Sequence, residues 1–316
     1  KGENFYKLFM DKSCKEVIFA KDFMTGKVHG FTYDNVVRSF RVDIEGSSIL
    51  SPSLSLVESY DYLDGSKGTL RDKDAEGNYI AYDKIDGIFA NKDARLYGTV
   101  IYPGSAFRSS PVQIQAGVAT WEDGGYKLKV GDLASVYSDG ETLTGADGPR
   151  DNDQYVSNTG FYIRKYVSEN PQDGVRPSLA SNWYPWFRLG EIYLNAAEAA
   201  VKLGDNAKAV EYLEPIVNRA NPEKTLEGET VTLERVLNER RKELFGEGHR
   251  LYDALRNNQT IERKDVKIPA ISSTKHLSMT EDAKKFDWNY YKVVLPIPKF
   301  EIDTNPNIAA QQNPGY

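Results

Sequence analysis

The stretch WFRLGEIYLNAAEAAVKLGDNAKAVEYLEPIVNRAN, residues 186–221, decides the fold class of this 316-residue chain. Apolar residues recur at helical spacing on both sides of Gly204, which predicts two amphipathic helices. Gly204 suits the left-handed residue at which a helix ends, and Asp205 can cap the helix that follows. The many alanines allow two helices to approach closely, so we predict a helical hairpin whose second helix contains Pro215.

The next segment, ERRKELFGEGHRLYDALR at 239–256, extends the helical region. Its apolar spacing predicts a third helix from about Thr232 toward Asn257, with a break at 246–248. Arginines fall beside the apolar stripe, and a guanidinium shielded from water needs carboxylate or carbonyl partners. We therefore predict a structural ion-pair network rather than a catalytic cluster. Its predicted members are Glu191, Glu198, Arg240 and Arg241, with Glu239, Glu243 and Glu247 as local partners.

Residues 1–180 have a different character, because they contain no long helical period. Short runs such as 17–20 and 126–130 predict strands between loops rich in glycine and aspartate, and 54–60 predicts a short helix. The fold class predicted from these patterns is mainly α. It combines an irregular, loop-rich region with short strands at 1–180 and a helical C-terminal region at 181–316 that ends in an extended tail.

Composition limits the classes of partner. The 40 basic and 46 acidic residues give a net charge of −6, which does not favour a nucleic acid or an anionic membrane. Cys14 is the only cysteine, so a disulfide framework and a four-cysteine zinc site are excluded. The sequence has no apolar run long enough for a membrane span. It begins without Met or a signal peptide, and we interpret it as a processed or truncated piece.

Several segments, taken in order, resemble the SusD/RagB family. The C-terminal half of that family is similar to residues 186–221, to LNERRKELFGEGHRLYDALR at 237–256 and to LPIPKFEIDTNPNIAAQQNPGY at 295–316. Its central segment resembles NKDARLYGTVIYPG at 91–104, and earlier pieces resemble EVIFAKDF at 16–23 and SLVESYDYLDG at 55–65. The ordered set covers most of the chain.

The resemblance implies a scaffold of tetratricopeptide-like helix pairs that carries an irregular binding region. It also implies a Bacteroidetes-type outer-membrane lipoprotein that captures nutrients, usually glycans, for a TonB-dependent transporter in polysaccharide utilization. The lipidated cysteine and the first helical repeats of the family would lie in an N-terminal part that this sequence lacks. Cys14 is not preceded by a signal sequence and is not the expected lipidation site.

Aromatic residues in polar loops are the candidate ligand-binding residues, because a flat ring with a polar neighbour suits the apolar face and hydroxyl edge of a sugar. The candidates are Tyr33, Tyr60, Tyr79, Trp121 and Tyr126. Most of them have an alternative role as half-buried packing residues. Trp183 and Trp186, which directly precede the first long helix, are predicted to belong to the core.

The acidic segment DKDAEGNYIAYD at 72–83 raises a metal-binding hypothesis. Asp72, Asp74, Glu76 and Asp83 stand at calcium-loop positions 1, 3, 5 and 12, and Gly77 stands at position 6. The last position usually carries glutamate, and no helical pattern flanks the segment. An ordinary acidic turn is the alternative, and no other cofactor is expected.

The sequence supports no enzyme motif, since it has no HExxH, CxxC, G-x-S-x-G or P-loop pattern. The first function hypothesis is a non-catalytic receptor for glycan or oligosaccharide nutrients at the outer membrane, with peptide capture as the alternative within the family. The second is a helical-repeat scaffold whose ligand is another protein. The third is a glycoside hydrolase, because a pair of carboxylates is sufficient for that chemistry.

Overall fold

The structure is a computed structural model, and it describes most of the chain. The described residues are 2–41, 48–115, 117–130, 143–148, 156–157, 159–175, 179–257, 259, 270–272, 276–278 and 297–312. The side chains at 118–121, 126, 128, 130, 270–272 and 276–278 are outside this description.

The α-helices of the described residues are short before residue 180 and longer after it. They are α1 (Gly2–Lys7), α2 (Phe31–Asn35), α3 (Leu54–Val57), α4 (Ala94–Thr99), α5 (Leu189–Lys202), α6 (Asn206–Ala220), α7 (Leu233–Glu243), α8 (Arg250–Arg256) and α9 (Lys299–Thr304). Short 3-10 helices occur at Arg38–Phe40, Ile85–Phe89, Pro171–Gly174 and Pro306–Gln311.

The strands are short and form small sheets. They are β1 (Val17–Lys21), β2 (Ala81–Tyr82), β3 (Val100–Ile101), β4 (Ala106–Phe107), β5 (Ser110–Pro111), β6 (Gly117–Glu122), β7 (Gly125–Val130), β8 (Tyr162–Ile163), β9 (Tyr184–Arg188), β10 (Ala270–Ser272) and β11 (His276–Ser278). Strands β1 and β9 pair antiparallel, as do β3 with β8 and β4 with β5. The largest sheet has the order β2-β10-β11-β6-β7.

The helical hairpin predicted from residues 186–221 is confirmed. Gly204 adopts a φ of +75° directly after α5, a conformation that an L side chain would strain, and it turns the chain into α6. Helices α5 and α6 pack against each other, and α7 packs against α5. The core between them contains the buried side chains of Leu194, Ala197, Leu213 and Val236. Burial of this apolar stripe is the main stabilisation of the helices.

The N-terminal cap of α6 depends on one side chain, that of Asp205, so its contribution to stability can be tested by a single substitution. The carboxylate of Asp205 accepts a hydrogen bond from the Lys208 backbone N–H at 3.0 Å. Asp205→Ala leaves that N–H without its partner, and we expect a loss of about 1 kcal/mol in the free energy of unfolding. Urea unfolding followed by circular dichroism measures this, with Asp205→Asn as the control that retains a capping side chain. Equal losses in both variants would contradict the capping role.

The break predicted in the third helix is also present. Helix α7 ends at Glu243, and Gly246 and Gly248 follow with φ of +76° and +83° before α8 begins at Arg250. Thr232 caps α7 by accepting a hydrogen bond from the Arg235 backbone N–H. The predicted strands at 17–20 and 126–130 correspond to β1 and β7, and the predicted short helix corresponds to α3.

The extended tail predicted for the C-terminus is wrong at residues 299–304 and 306–311, which are helical. Helix α9 begins directly after Pro298, and the following 3-10 helix begins at Pro306. A proline is tolerated at the start of a helix, because the N–H that it lacks would have no partner in the first turn. The remaining tail residues, 293–296 and 313–316, lie outside the described residues.

The mainly α fold class is confirmed, with few short strands beside a tetratricopeptide-like helical scaffold. The irregular region has buried cores of its own, one around Val57, Phe89 and Leu96 and another around Ile101 and Phe107. Within the described ranges, no helix has the length and apolar character needed to cross a membrane.

Candidate functional site

A buried cluster of ion pairs lies at the C-terminal end of α7. Glu243, whose side chain has no exposed surface, accepts from Arg188 Nη1 at 2.6 Å and from Arg95 Nη1 at 3.0 Å, and it also pairs with Arg219. Arg188 reaches two further carboxylates, Glu16 at 2.7 Å and Glu247 at 2.6 Å. The cluster therefore links α4, β9 and α6 to a single helix end.

Glu239, one turn earlier in α7, forms the second centre of this cluster. It pairs with Arg95, with Arg235 at 2.6 Å and with Lys242 at 3.1 Å. Burial alone would raise the pKa of Glu239 and of Glu243. The surrounding cations outweigh that effect and hold the pKa of both carboxyls well below the ordinary value.

The predicted ion-pair network exists, but its partners were wrongly assigned. Arg240 binds Asp253 at 3.0 Å instead of Glu191 or Glu198. Glu198 pairs with Arg256 and with Lys202. Burial alone would raise the pKa of Glu198, but these two cations outweigh burial and lower it to about 2.

The other two predicted members have weaker contacts. Glu191 accepts from Asn195 at 3.4 Å and faces the His249 ring at 3.8 Å. Arg241 donates to the Ser55 hydroxyl at 3.1 Å.

The sequence analysis did not identify the main cations of the cluster. They are Arg95, Arg188, Arg219 and Lys165, which pairs with Glu247 at 2.7 Å. Their carboxylate partners are mostly far away along the chain, and periodicity gives no information on such pairs. One local feature does point to Arg188, because it is a single cation in the apolar run WFRL at 186–189. Gly190 leaves room for the Arg188 guanidinium, because a Cβ at position 190 would lie only 2.4 Å from Arg188 Nη1.

Two of the predicted ligand-binding tyrosines, Tyr33 and Tyr60, lie in the interior. Tyr33 is only 6% exposed within α2, and the Arg41 guanidinium covers its ring at 3.8 Å from the centroid. Tyr60 is completely buried in a core cluster, and its hydroxyl donates to the Lys242 carbonyl at 3.2 Å. Neither ring presents a free face to a ligand, so we do not include them in the site proposed below.

The other aromatic candidates are on outer segments. Tyr79 is half-buried, and Lys73 Nζ lies 4.9 Å from its ring centroid. Trp121 and Tyr126 are direct cross-strand partners in the β6–β7 hairpin, and their side chains lie outside the described part of the chain. Asp123 and Gly124 form the hairpin turn, both at positive φ, which is the conformation that an Asp-Gly turn favours.

The predicted calcium loop folds as an acidic turn. Asp74 accepts hydrogen bonds from the backbone N–H groups of Glu76 at 3.0 Å and Asn78 at 2.8 Å. Across the described ranges, no group of three or more His, Cys, Asp or Glu side chains could hold a metal ion. The carboxylate of Asp74 therefore closes the turn, and calcium binding by Asp72, Asp74, Glu76 and Asp83 stays a prediction.

An exposed apolar face runs along β1, β9 and the first turns of α5. It comprises Ile18, Phe19, Trp186, Phe187, Leu189, Ile192 and Tyr193. Phe19 and Phe187 are neighbours across the two strands, with ring centroids 6.4 Å apart. The core position predicted for Trp186 is wrong, since this side chain is 55% exposed, whereas Trp183 is half-buried and donates to the Leu8 carbonyl. Two of the three rings on β9, Trp186 and Phe187, are thus exposed, whereas Tyr184 stacks on Tyr166.

A polar cleft of about 430 Å³ lies between α3, the loop at 67–69 and the outer side of α7. We call it the α3–α7 cleft. Hydroxyl, amide and charged side chains line it, including Ser55, Glu58, Asp61, Arg235, Asn238 and Arg241. Its volume falls within the range of small-molecule sites, about 300–1,000 Å³. It is much larger than the neighbouring cavity of about 20 Å³ around Asp61, Arg95 and Asn221.

Comparison with solved structures shows the fold first. The chain aligns over its whole length with 57% of a SusD-like protein from Bacteroides fragilis, at 22% identity and a TM-score of 0.66. A SusD-like carbohydrate-binding protein from Bacteroides fragilis matches 96% of the chain and 57% of its own length, again at 22% identity and a TM-score of 0.66. Both are SusD-like proteins, and the fold that they share with this chain is helical and tetratricopeptide-like.

The sequence model of the SusD family matches residues 15–316, so the chain belongs to this family. A curated relative, the SusD-like protein P25 of Formosa agariphila, is 31% identical over 138 residues, which cover 41% of this chain and 24% of that protein. The resemblance identified from the ordered segments is therefore confirmed. The chain spans 57% of the length of the first solved relatives and a smaller part of the curated one.

Proposed function

We propose that this protein binds glycans at the cell surface, without catalysing a reaction, as a component of a TonB-dependent nutrient uptake system. The observation that carries the proposal is the SusD family match over residues 15–316. A carbohydrate-binding protein among the structural relatives supports the choice of ligand. Attachment to the outer membrane by a lipid anchor, and docking on a transporter, belong to the same proposal.

In this proposal, the outer aromatic segments contact the sugar. Trp121 and Tyr126 occupy facing positions in the β6–β7 hairpin, and Tyr79 is on the neighbouring acidic turn. Strand β2, which directly follows that turn, belongs to the same sheet as the hairpin. Aromatic rings would stack on the apolar faces of the sugar while nearby polar groups bond its hydroxyls. Affinity per site would be modest, because sugar hydroxyls already bond well to water.

Trp121→Ala tests the position of the site. We expect glycan affinity to fall by about fivefold to tenfold, which corresponds to the loss of roughly 1–1.4 kcal/mol of ring contact. Isothermal titration calorimetry of the protein with a glycan that it binds measures the change. Trp186→Ala is the matched control, because it removes a tryptophan with 55% exposure from β9, which is not part of the sheet that contains the hairpin. Equal weakening in both variants, or none in Trp121→Ala, would rule out the hairpin as the site.

The same titrations address the alternatives. A panel of peptides tests peptide capture, the alternative ligand class within the family. Analysis of each glycan for new reducing ends tests the glycoside hydrolase hypothesis. Binding of peptides without binding of glycans, or release of sugar products, would overturn the proposed function.

A further inference from the structure

Charged side chains of both signs line the α3–α7 cleft. Its cationic side chains are Lys67, Arg235, Arg241 and Lys242, and its acidic ones are Glu58, Asp61 and Glu234, so four positive charges face three negative ones. The hydroxyl groups of Ser55, Ser59 and Thr69 and the amide of Asn238 add neutral polar groups. This composition suits a small polar ligand.

Two of these cations are already committed to carboxylates. Arg235 pairs with Glu239 at 2.6 Å and with Glu229 at 3.3 Å. Lys242 pairs with Glu239 and with Asp61, each at 3.1 Å. Their charges are therefore compensated by the protein, and Asp61, which holds Lys242, contributes little repulsion toward a ligand.

Arg241 differs from these two cations. Its contact within the described part of the chain is a hydrogen bond to the neutral Ser55 hydroxyl, at 3.1 Å, and no carboxylate lies within ion-pair distance there. The side chain is only partly exposed, and Arg250 is a nearby like charge. Burial and that second cation both lower the pKa of Arg241. A partly desolvated guanidinium with a single neutral acceptor is costly, and an anion would relieve that cost.

The geometry points to a binding site for a carboxylate. We propose that the α3–α7 cleft binds an acidic sugar residue of a glycan, with the Arg241 guanidinium donating to the sugar carboxylate. The planar fork of a guanidinium matches the two oxygens of a carboxylate. The Asn238 amide and the hydroxyls of the cleft would bond the sugar hydroxyls. This inference rests on the proposed glycan-binding function and specifies the class of glycan.

The test is calorimetry of the 316-residue protein with trigalacturonic acid, with a neutral galactose trisaccharide and with a sulfated trisaccharide of the same length. We expect the carboxylated trimer to bind at least about tenfold more tightly than the neutral one, which is the effect of one hydrogen bond to a charged group. Arg241→Gln removes this difference, and Arg241→Lys retains part of it. Lys208→Gln, which removes an exposed charge on α6, leaves it unchanged.

A second measurement separates binding from folding. Because Arg241→Gln removes a guanidinium that has no carboxylate partner among the described residues, the urea midpoint is expected to stay the same or to rise. The inference is overturned if the neutral and carboxylated trimers bind equally, if Arg241→Gln keeps the preference, or if the sulfated trimer alone binds. Binding of neutral glycans that is insensitive to Arg241 would overturn this inference alone. The absence of any glycan binding would overturn it together with the proposed function.

Discussion

Replacing Glu243 with alanine is expected to lower the free energy of unfolding by about 3–5 kcal/mol, the usual cost of removing one partner from a buried ion pair. The side chain of Glu243 is completely buried and bonds Arg95, Arg188 and Arg219. Without it, Arg188, which is only 1% exposed, keeps two of its three carboxylates, and Arg95 loses one of its partners. The loss therefore includes the penalty of buried, incompletely compensated charge.

Urea unfolding followed by circular dichroism measures this loss. Glu211→Ala is the control, because Glu211 forms an exposed pair with Lys208 and should cost no more than about 0.5 kcal/mol. Arg219→Ala is a milder variant, since the Arg219 side chain is 35% exposed, and we expect a loss of about 1.5–3 kcal/mol. A Glu243→Ala protein as stable as Glu211→Ala would show that the cluster contributes nothing to stability.

The protein is expected to lose stability steeply below about pH 4.5. The folded state holds the pKa of Glu239 and Glu243 well below 4.5, and the pKa of Glu198 is lowered to about 2. The unfolded chain therefore binds more protons than the folded one in this range, and acid shifts the equilibrium toward unfolding. The stabilisation that comes from these lowered pKa values is fully present above pH 4.5, which is the ordinary pKa of a glutamate. It is lost as the pH falls toward the pKa values of the folded state.

The measurement is the free energy of unfolding in urea at pH 7, 5.5, 4.5 and 3. We expect little change down to pH 5.5 and a loss on the order of 3 kcal/mol or more by pH 3. Glu243→Gln, which cannot take up that proton, should show a shallower acid dependence. An unchanged free energy of unfolding between pH 7 and pH 3 would refute the assignment of low pKa values to these buried carboxylates.

Local sequence patterns predicted the helical part of the fold well. Gly204 and Asp205 mark the end of one helix and the cap of the next, and the positive φ at Gly246 and Gly248 accounts for the break after α7. These features depend on residues close together in the sequence. The C-terminal tail was mispredicted, because a helix begins directly after Pro298, at a position where proline is tolerated.

Long-range contacts explain most of what the sequence could not predict. Arg188 and Glu16 are 172 residues apart, and Arg95 and Glu243 are 148 residues apart, so neither pair leaves a local pattern. The pairing of Arg240 was missed for a different reason. Asp253 is nearby in sequence, but it lies on α8, and the break between α7 and α8 is what brings it to Arg240.

The candidate site was the least predictable feature. Tyr60 follows a short helix in a family-like segment, and its sequence context does not show that the ring is completely buried under α7. The α3–α7 cleft joins residues 55–69 with residues 234–242, and only the three-dimensional structure brings them together. The residue types predicted sugar-binding chemistry. The positions of the tyrosines in the sequence did not show which rings are buried.

The most direct test of the central claim is a titration of the purified protein with a panel of plant, host and microbial polysaccharides, with each mixture analysed for released sugars. A non-catalytic glycan receptor predicts saturable binding to at least one polysaccharide and no new reducing ends. The absence of binding across the whole panel, or the steady release of sugar products, would contradict that account.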